Sequence, residues 1–319
     1  MEYNPSMKNS STSIVIFMLC WGLLAVGQES SLTPLEDYDT FQQEQELVLQ
    51  AQEYADAKKY VRAAEQYRRA AKLASSSEKR ASYLVREAEN LLLGKKSHRA
   101  KQVYFDLVNN YRFFIPLHTV LEQMRELADY FEHGTGTFLR FDDPGVAIEI
   151  YREIVKCQPG GEQSLNDRLV LGRKLEADGQ REEAVKLYQE TIKLLPRNPD
   201  VRLALAQCLS KLAAESDGDG ELSRAAIREA QSFLEFASPN DPRRELVTEI
   251  MTRAKNDEAK RMLSRAEFYL VKYHYRPDVA RRYLLDVMRE YPDSTSAPTA
   301  KELLELHFPA DQTKEIKSN

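Results

Sequence analysis

The stretch LGRKLEADGQREEAVKLYQETIKLLP, residues 171–196, decides the fold of this chain. In its first half, Gly172 offers a small surface that a partner helix can approach closely, and Gly179 supplies a turn. In its second half, Ala184 and Tyr188 lie four residues apart, and residues at this spacing share one stripe of an α-helix. The stretch therefore predicts two antiparallel helices that pack a small residue against a large ring.

This pattern recurs along the chain, which predicts a repeat protein. Copies of the second half begin at Ala63, Ala100, Ala147, Ala184, Ala226 and Ala280. The ring four residues later is Tyr67, Tyr104, Tyr151 and Tyr188 in four of these copies. Proline follows twelve residues after the alanine at Pro159, Pro196 and Pro292, where it stops the helix. Because one helix-turn-helix unit cannot bury its apolar faces alone, we predict an all-α superhelix in which about six units stack.

The composition favours such an array and excludes other classes of protein. The 319-residue chain contains only 12 Gly and 13 Pro, too few turn residues for a β-sandwich or β-barrel. A hydrophobic content of 42% excludes a wholly disordered chain, and a charged content of 30% excludes a polytopic membrane protein. The formal net charge of −5 provides no basic surface, so we expect no nucleic-acid partner.

The N-terminal residues predict export. Residues 14–27 contain no charged side chain, and this apolar run is shorter than the ~20 residues of a membrane-spanning helix but suits a signal-peptide core. The small side chains of Ala25 and Gly27 predict cleavage before Gln28. Lipid attachment at Cys20 is the alternative, which the large apolar residues before it disfavour.

These observations divide the chain into four predicted segments. They are a signal peptide (1–27), an acidic tether (28–41), the repeats (42–307) and a disordered tail (308–319). Within the repeats, glycine-rich insertions at 133–145 and 215–221 are interpreted as solvated loops, and residues 242–272 are expected to form one long helix.

No motif for catalysis or for metal binding stands out in the chain. The five histidines are scattered, and no nucleophile motif, phosphate loop or metal-ligand spacing is present. We therefore expect neither an enzyme nor a bound cofactor or metal. Cys157 and Cys208 are interpreted as buried thiols, because one pair of cysteines is not a disulfide framework.

Residues 171–196 resemble the tetratricopeptide repeat (TPR) at nearly every anchor of that motif. Two further stretches, 266–294 with its Tyr-Pro-Asp-Ser ending and 130–151, resemble the outer-membrane β-barrel assembly TPR protein family (BamD/YfiO-like). The resemblance implies a non-catalytic periplasmic scaffold, associated with the outer membrane at most peripherally. Its partners would be β-barrel assembly components or unfolded outer-membrane proteins.

Two sets of residues are candidates for partner binding. The first helices of stacked units line a concave groove in such arrays, so we expect Gln52, Asp56, Arg173 and Glu176 to face a bound protein. Family members often carry a partner-contacting arginine in the last repeat, nine residues before the proline. The corresponding position here is Tyr283, preceded by Arg281 and Arg282, so the resemblance implies a partner contact near these three residues.

A second function from a different class also fits the sequence. A periplasmic TPR protein could instead coordinate peptidoglycan or cell-division machinery. The absence of a clear lipid-attachment site favours this alternative, whereas the absence of coiled-coil heptads before the repeats disfavours it.

Overall fold

The computed structural model describes residues 34–133, 143–158, 160–216 and 220–309. Within these ranges the chain forms helices and no strand, so the predicted all-α fold class is confirmed. The α-helices are α1 (Pro34–Asp56), α2 (Tyr60–Leu73), α3 (Ser77–Leu93), α4 (Ser97–Asn110), α5 (Leu117–His133), α6 (Pro144–Cys157), α7 (Glu162–Ala177), α8 (Arg181–Leu194), α9 (Pro199–Ser216), α10 (Glu221–Phe236), α11 (Arg244–Leu270), α12 (Pro277–Glu290) and α13 (Ala297–His307). Two 3₁₀ turns, Arg112–Phe114 and Lys272–His274, follow α4 and α11.

Within the described ranges, consecutive helices pair into six hairpins, from α1–α2 to α11–α12, and α13 packs on α12. The chain divides into two compact units, Met1–Pro116 and Leu117–Asn319. The N-terminal unit contains the first two hairpins, which contact each other through α2 and α3. In the C-terminal unit the other four hairpins stack in chain order through α6–α7, α8–α9 and α10–α11.

The hairpin turn has the same geometry in three of the repeats. Lys58, Lys95 and Gly179 occupy equivalent turn positions and have φ angles of 57°, 55° and 81°. The residue after each of them donates its backbone N–H to a carbonyl of the preceding helix, at 2.8 Å in all three turns. Only glycine adopts this left-handed conformation without strain, so each lysine costs ~1 kcal/mol there.

The small residues allow the close approach that their spacing predicts. Ala63, Ala100 and Ala184 are fully buried, as are the rings of Tyr104 and Tyr188. At Gly172 a Cβ atom would lie under 3.0 Å from the Tyr188 ring, which real Cβ atoms essentially never show. The remaining anchors Ala147, Ala280 and Tyr67 are buried, and Tyr151 is partly buried.

An extended apolar core runs through the C-terminal unit, and a second, smaller apolar cluster surrounds Phe233. The extended core reaches from Ile148 in α6 to Leu304 in α13, and Phe308 packs against it just beyond the last helix. Both cysteines beyond the apolar N-terminal segment are buried thiols without a disulfide, as expected. Burial raises the pKa of the Cys208 thiol to about 12, so this side chain behaves as a small apolar group at neutral pH.

The structure changes two segment boundaries. Helix α1 begins at Pro34, so residues 34–41, which we predicted as part of the tether, are helical. The fixed φ of proline suits the first turn of a helix, and no helix breaker follows it before Gln42. The first residue of the predicted tail, Phe308, also belongs to the fold.

Other predicted segments can be compared only in part. The long helix expected over 242–272 is present as α11. The signal peptide, residues 28–33 of the tether, the glycine-rich segments 134–142 and 217–219, and residues 310–319 lie outside the described residues. Among the helices that are described, none is both long and apolar enough to span a bilayer.

Candidate protein-binding surfaces

A shallow, open depression of about 640 Å³, which we call the groove on α11, runs along the solvent side of this helix. It is lined by Glu245, Thr248, Glu249, Thr252, Arg253, Asn256 and Asp257, which recur at the three- and four-residue spacing of one helix face. The opposite face of α11 places Val247, Ala254 and Ala259 in the core. The 27-residue helix is therefore anchored on one side and offers a polar stripe on the other.

A small pocket of about 90 Å³ continues this groove toward the turn after α12. Thr252 and Asn256 line both cavities, and the Tyr291–Ser294 turn closes the far side of the pocket. The Asn256 carboxamide oxygen accepts a hydrogen bond of 2.9 Å from the Thr295 N–H, which fixes the turn against α11.

Ser294 is a lining residue of this pocket with a buried hydroxyl group. The residue is 8% exposed, and its Oγ atom is shielded from solvent and has no hydrogen-bond partner. A buried hydroxyl without a partner costs free energy. The pocket has room for a water molecule or for the polar end of a partner's side chain.

A separate groove of about 490 Å³ lies along α12. Its lining includes Arg281, Arg282 and Arg289 together with Asp278, Leu285 and Asp286. Two of the three residues that the family resemblance implied as partner contacts thus share one surface groove. The third, Tyr283, stacks on Tyr269 of α11 with ring centroids 6.3 Å apart, so its ring serves helix packing.

The four predicted groove residues line none of these three cavities. Gln52, Asp56 and Arg173 are exposed on the first helices of their hairpins. Glu176 is largely occupied within the fold, because it accepts a 3.0 Å hydrogen bond from the Tyr188 hydroxyl and lies 2.9 Å from the Lys211 ammonium. Burial, followed by the charge of Glu176, raises the pKa of Tyr188, so this hydroxyl stays protonated and continues to donate.

The polar stripe of α11 was not predicted from the sequence, because only the apolar residues of this helix were considered. A signal was present, since polar side chains recur every three or four residues from Glu245 to Asp257. The unsatisfied Ser294 hydroxyl had no such signal, because it depends on how the turn packs against α11.

Among the described residues, one group of side chains has donor atoms close enough together to hold a metal ion. Ligand atoms of Asp129, Glu132 and His133 on the last turns of α5 lie within 4.8 Å of one another. The Glu132 carboxylate already pairs with the Lys174 ammonium, and the Asp129 carboxylate lies 2.8 Å from the His133 ring. These contacts account for the cluster without a metal, and acidic groups of this kind are common on protein surfaces.

No protein-family model and no curated protein matches the chain. Among solved structures, the C-terminal part of a TPR repeat-containing protein from Cytophaga hutchinsonii has 13% identity and a TM-score of 0.32, over 83% of this chain and 93% of that one. A tetratricopeptide repeat protein from Parabacteroides merdae has 14% identity and a TM-score of 0.30, over 83% and 99%. The TPR2AB domain of yeast Sti1, solved in complex with pHSP90, has 16% identity and a TM-score of 0.27, over 84% and 98%.

All three are TPR structures, the class of helix-turn-helix repeat that residues 171–196 resemble. Identities and TM-scores this low carry no argument about what this chain binds. The candidate surfaces therefore rest on their own geometry.

Proposed function

We propose that this chain is an exported, non-catalytic scaffold that binds another protein along α11, on the periplasmic side of an outer membrane, and takes part in the assembly of β-barrel proteins. The observation that carries the protein-binding role is the open stripe of charged and polar side chains on α11, which adjoins the small pocket at the Tyr291–Ser294 turn. A helix face of this length suits an extended or helical segment of a partner.

Two sequence features support the cellular part of the proposal. The uncharged segment 14–27 supports export. The resemblance of residues 266–294 to the barrel-assembly family supports the process, and the Tyr291–Ser294 part of that segment lines the small pocket. The resemblance and the groove thus concern the same region of the chain.

Site-specific photo-crosslinking tests the binding surface. A photoreactive amino acid in place of Thr252, at the junction of both cavities, should crosslink in living cells to a protein of the barrel-assembly machinery or to an unfolded barrel protein. The matched control is the exposed Lys193 on α8, which lines neither cavity. Equal crosslinking at both positions would contradict a specific surface on α11.

The variant Ser294→Ala tests the pocket separately from folding. Removing a buried hydroxyl that has no partner should leave the free energy of unfolding unchanged or slightly higher. The crosslink at Thr252 should also be unchanged, because the Oγ atom is shielded from solvent. A weaker crosslink in a chain of unchanged stability would show that the partner reaches this hydroxyl.

Depletion in the host tests the process. Loss of β-barrel proteins from the outer membrane is the expected result. Normal barrel proteins together with a septation or cell-wall defect would instead support the alternative, coordination of peptidoglycan or division machinery.

A further inference from the structure

The turn between α11 and α12 presents an unusual combination of side chains to solvent. Residues 268–277, FYLVKYHYRP, contain no acidic residue, although the whole chain has a formal net charge of −5. Its exposed apolar side chains are Phe268 (48%), Val271 (50%), Tyr273 (89%) and Tyr275 (60%). The exposed side chains of Lys272, His274 and Arg276 alternate along the chain with Val271, Tyr273 and Tyr275. We name residues 268–276 the aromatic turn.

Backbone hydrogen bonds hold the aromatic turn in a defined shape. The Arg276 N–H donates to the Tyr269 carbonyl at 2.8 Å, and the His274 N–H donates to the Val271 carbonyl at 2.9 Å. The His274 ring stacks on Phe268 with centroids 4.3 Å apart. The apolar side chains are therefore exposed on an ordered backbone. Little backbone entropy would be lost if they were buried against another surface.

The chemistry of the turn selects among possible partners. Tyrosine is enriched where an apolar phase meets water, because its ring prefers the apolar side and its hydroxyl prefers the polar side. Lysine and arginine are attracted to the phosphates of anionic lipids. An acidic peptide would neutralise the cations but would bury little of the four apolar side chains. An anionic lipid surface would do both.

We propose that the aromatic turn docks the protein onto the surface of a membrane that contains anionic phospholipids. Tyr273 and Tyr275 enter the boundary between headgroups and acyl chains, and Lys272 and Arg276 contact lipid phosphates. The contact is peripheral. It uses none of the residues that line the groove on α11, so it can succeed or fail independently of the proposed protein-binding role.

A fluorescent reporter in the full chain tests this contact locally. The chain has a single tryptophan, Trp21, in the apolar N-terminal segment. In the double variant Trp21→Phe/Tyr273→Trp the only indole therefore lies at the most exposed of the four apolar positions of the turn. Vesicles of phosphatidylcholine with one-third phosphatidylglycerol should shift its emission to the blue, and pure phosphatidylcholine vesicles should shift it much less.

Further substitutions in this reporter chain separate the two contributions. Lys272→Glu/Arg276→Glu should weaken binding to the anionic vesicles by about thirtyfold, because it replaces two attractive charges with repulsive ones. Val271→Ser/Tyr275→Ser should weaken it by about tenfold by removing apolar area. The matched control is Phe113→Ser, which removes an aromatic side chain that is 93% exposed in the other 3₁₀ turn and should leave binding unchanged.

Two results would overturn the proposal. The first is an unshifted emission while the protein still sediments with vesicles, since the membrane contact would then lie elsewhere in the chain. The second is an emission shift with a soluble poly-glutamate peptide but none with anionic vesicles, which would identify the turn as a site for acidic polypeptide.

Discussion

Glu87 in the N-terminal unit and Glu258 in the C-terminal unit occupy the same repeat position, yet of these two carboxylates only that of Glu258 is ion-paired within the described residues. Each residue directly precedes the small alanine on the first helix of its hairpin, and each is almost completely buried, at 2% and 1% exposure. The Glu258 carboxylate accepts a 2.6 Å hydrogen bond from Arg224 and pairs with Arg261. Within the described residues, Glu87 has neither a hydrogen bond nor an ion pair.

The sequence around each carboxylate explains the difference. Arg224 lies two residues before Ala226, and Val61 holds the corresponding position before Ala63 in the N-terminal unit. Arg261 lies two residues after Ala259, and Asn90 holds the corresponding position after Ala88. Burial raises the pKa of Glu87 to about 7, and the nearby charges of Arg68 and Arg99 offset this only in part. The same burial therefore produces an ion-paired carboxylate in one unit and a carboxyl group that titrates near neutrality in the other.

The largest expected effect comes from removing the cations around Glu258. The double variant Arg224→Met/Arg261→Met leaves a buried carboxylate without a partner, so it should lower the free energy of unfolding by about 3–5 kcal/mol at pH 8. Urea unfolding measures the loss. Adding Glu258→Gln to this variant removes the buried charge and should restore most of the stability. A loss below about 1 kcal/mol in the double variant would show that Glu258 does not depend on its arginines.

The second variant, Glu87→Gln, should raise the free energy of unfolding rather than lower it. Because the folded pKa of about 7 is above the unfolded value, the wild-type chain binds more protons when folded and loses stability as pH rises from about 4.5 through 7. Glutamine remains neutral, so the variant should be more stable by ~3 kcal/mol at pH 8 and nearly equal at pH 4. Hydrogen exchange of the α3 amides reports this locally.

The matched control for this experiment is Glu258→Gln. It should destabilise the chain at pH 8, because it leaves Arg224 and Arg261 facing a neutral amide. Stabilisation by both glutamine substitutions would remove the distinction between the two units.

This contrast also shows what sequence reasoning can reach. Alanine and tyrosine at fixed spacing predicted the helices and their packing, since these side chains act through size and periodicity. The turn at Gly179 was recognisable because glycine adopts the left-handed conformation without strain. Lys58 and Lys95 were not, because lysine carries no signal for the left-handed conformation that the repeat imposes on it.

The candidate surfaces depend more strongly on tertiary structure. Glu176 was predicted to face a partner, but a hydroxyl on the neighbouring helix and a lysine from the next hairpin engage it. In the same way, whether Glu87 is paired depends on residues from two helices. The sequence shows which residues surround Glu87 only when the repeats are aligned by their small residues.

The variant Asn90→Arg should convert the N-terminal unit toward the arrangement around Glu258. Arginine three residues after Glu87 reproduces the spacing of Glu258 and Arg261. The pKa of Glu87 should then fall by about 1–3 units, which NMR titration of the glutamate side chain can follow. The Asn90→Gln variant, which has a longer side chain without charge, is the control. A pKa that stays near 7 in the arginine variant would mean that the new guanidinium turns away to solvent.

The smallest expected effect is that of Glu65→Gln, a change near the surface. The Glu65 carboxylate raises the pKa of Glu87 and also pairs with Arg68 and Arg99, the two cations that lower it. Both effects predict a lower pKa for Glu87 in the variant, but only by a few tenths of a unit, because a side chain that is 32% exposed is screened by solvent and salt. NMR titration at low and at high salt should show the shift in the first condition and little in the second. A decrease of a full unit would contradict burial as the main cause of the raised pKa. A small decrease would leave the residues at positions 61 and 90, rather than the surface charges, as the reason why the two units differ.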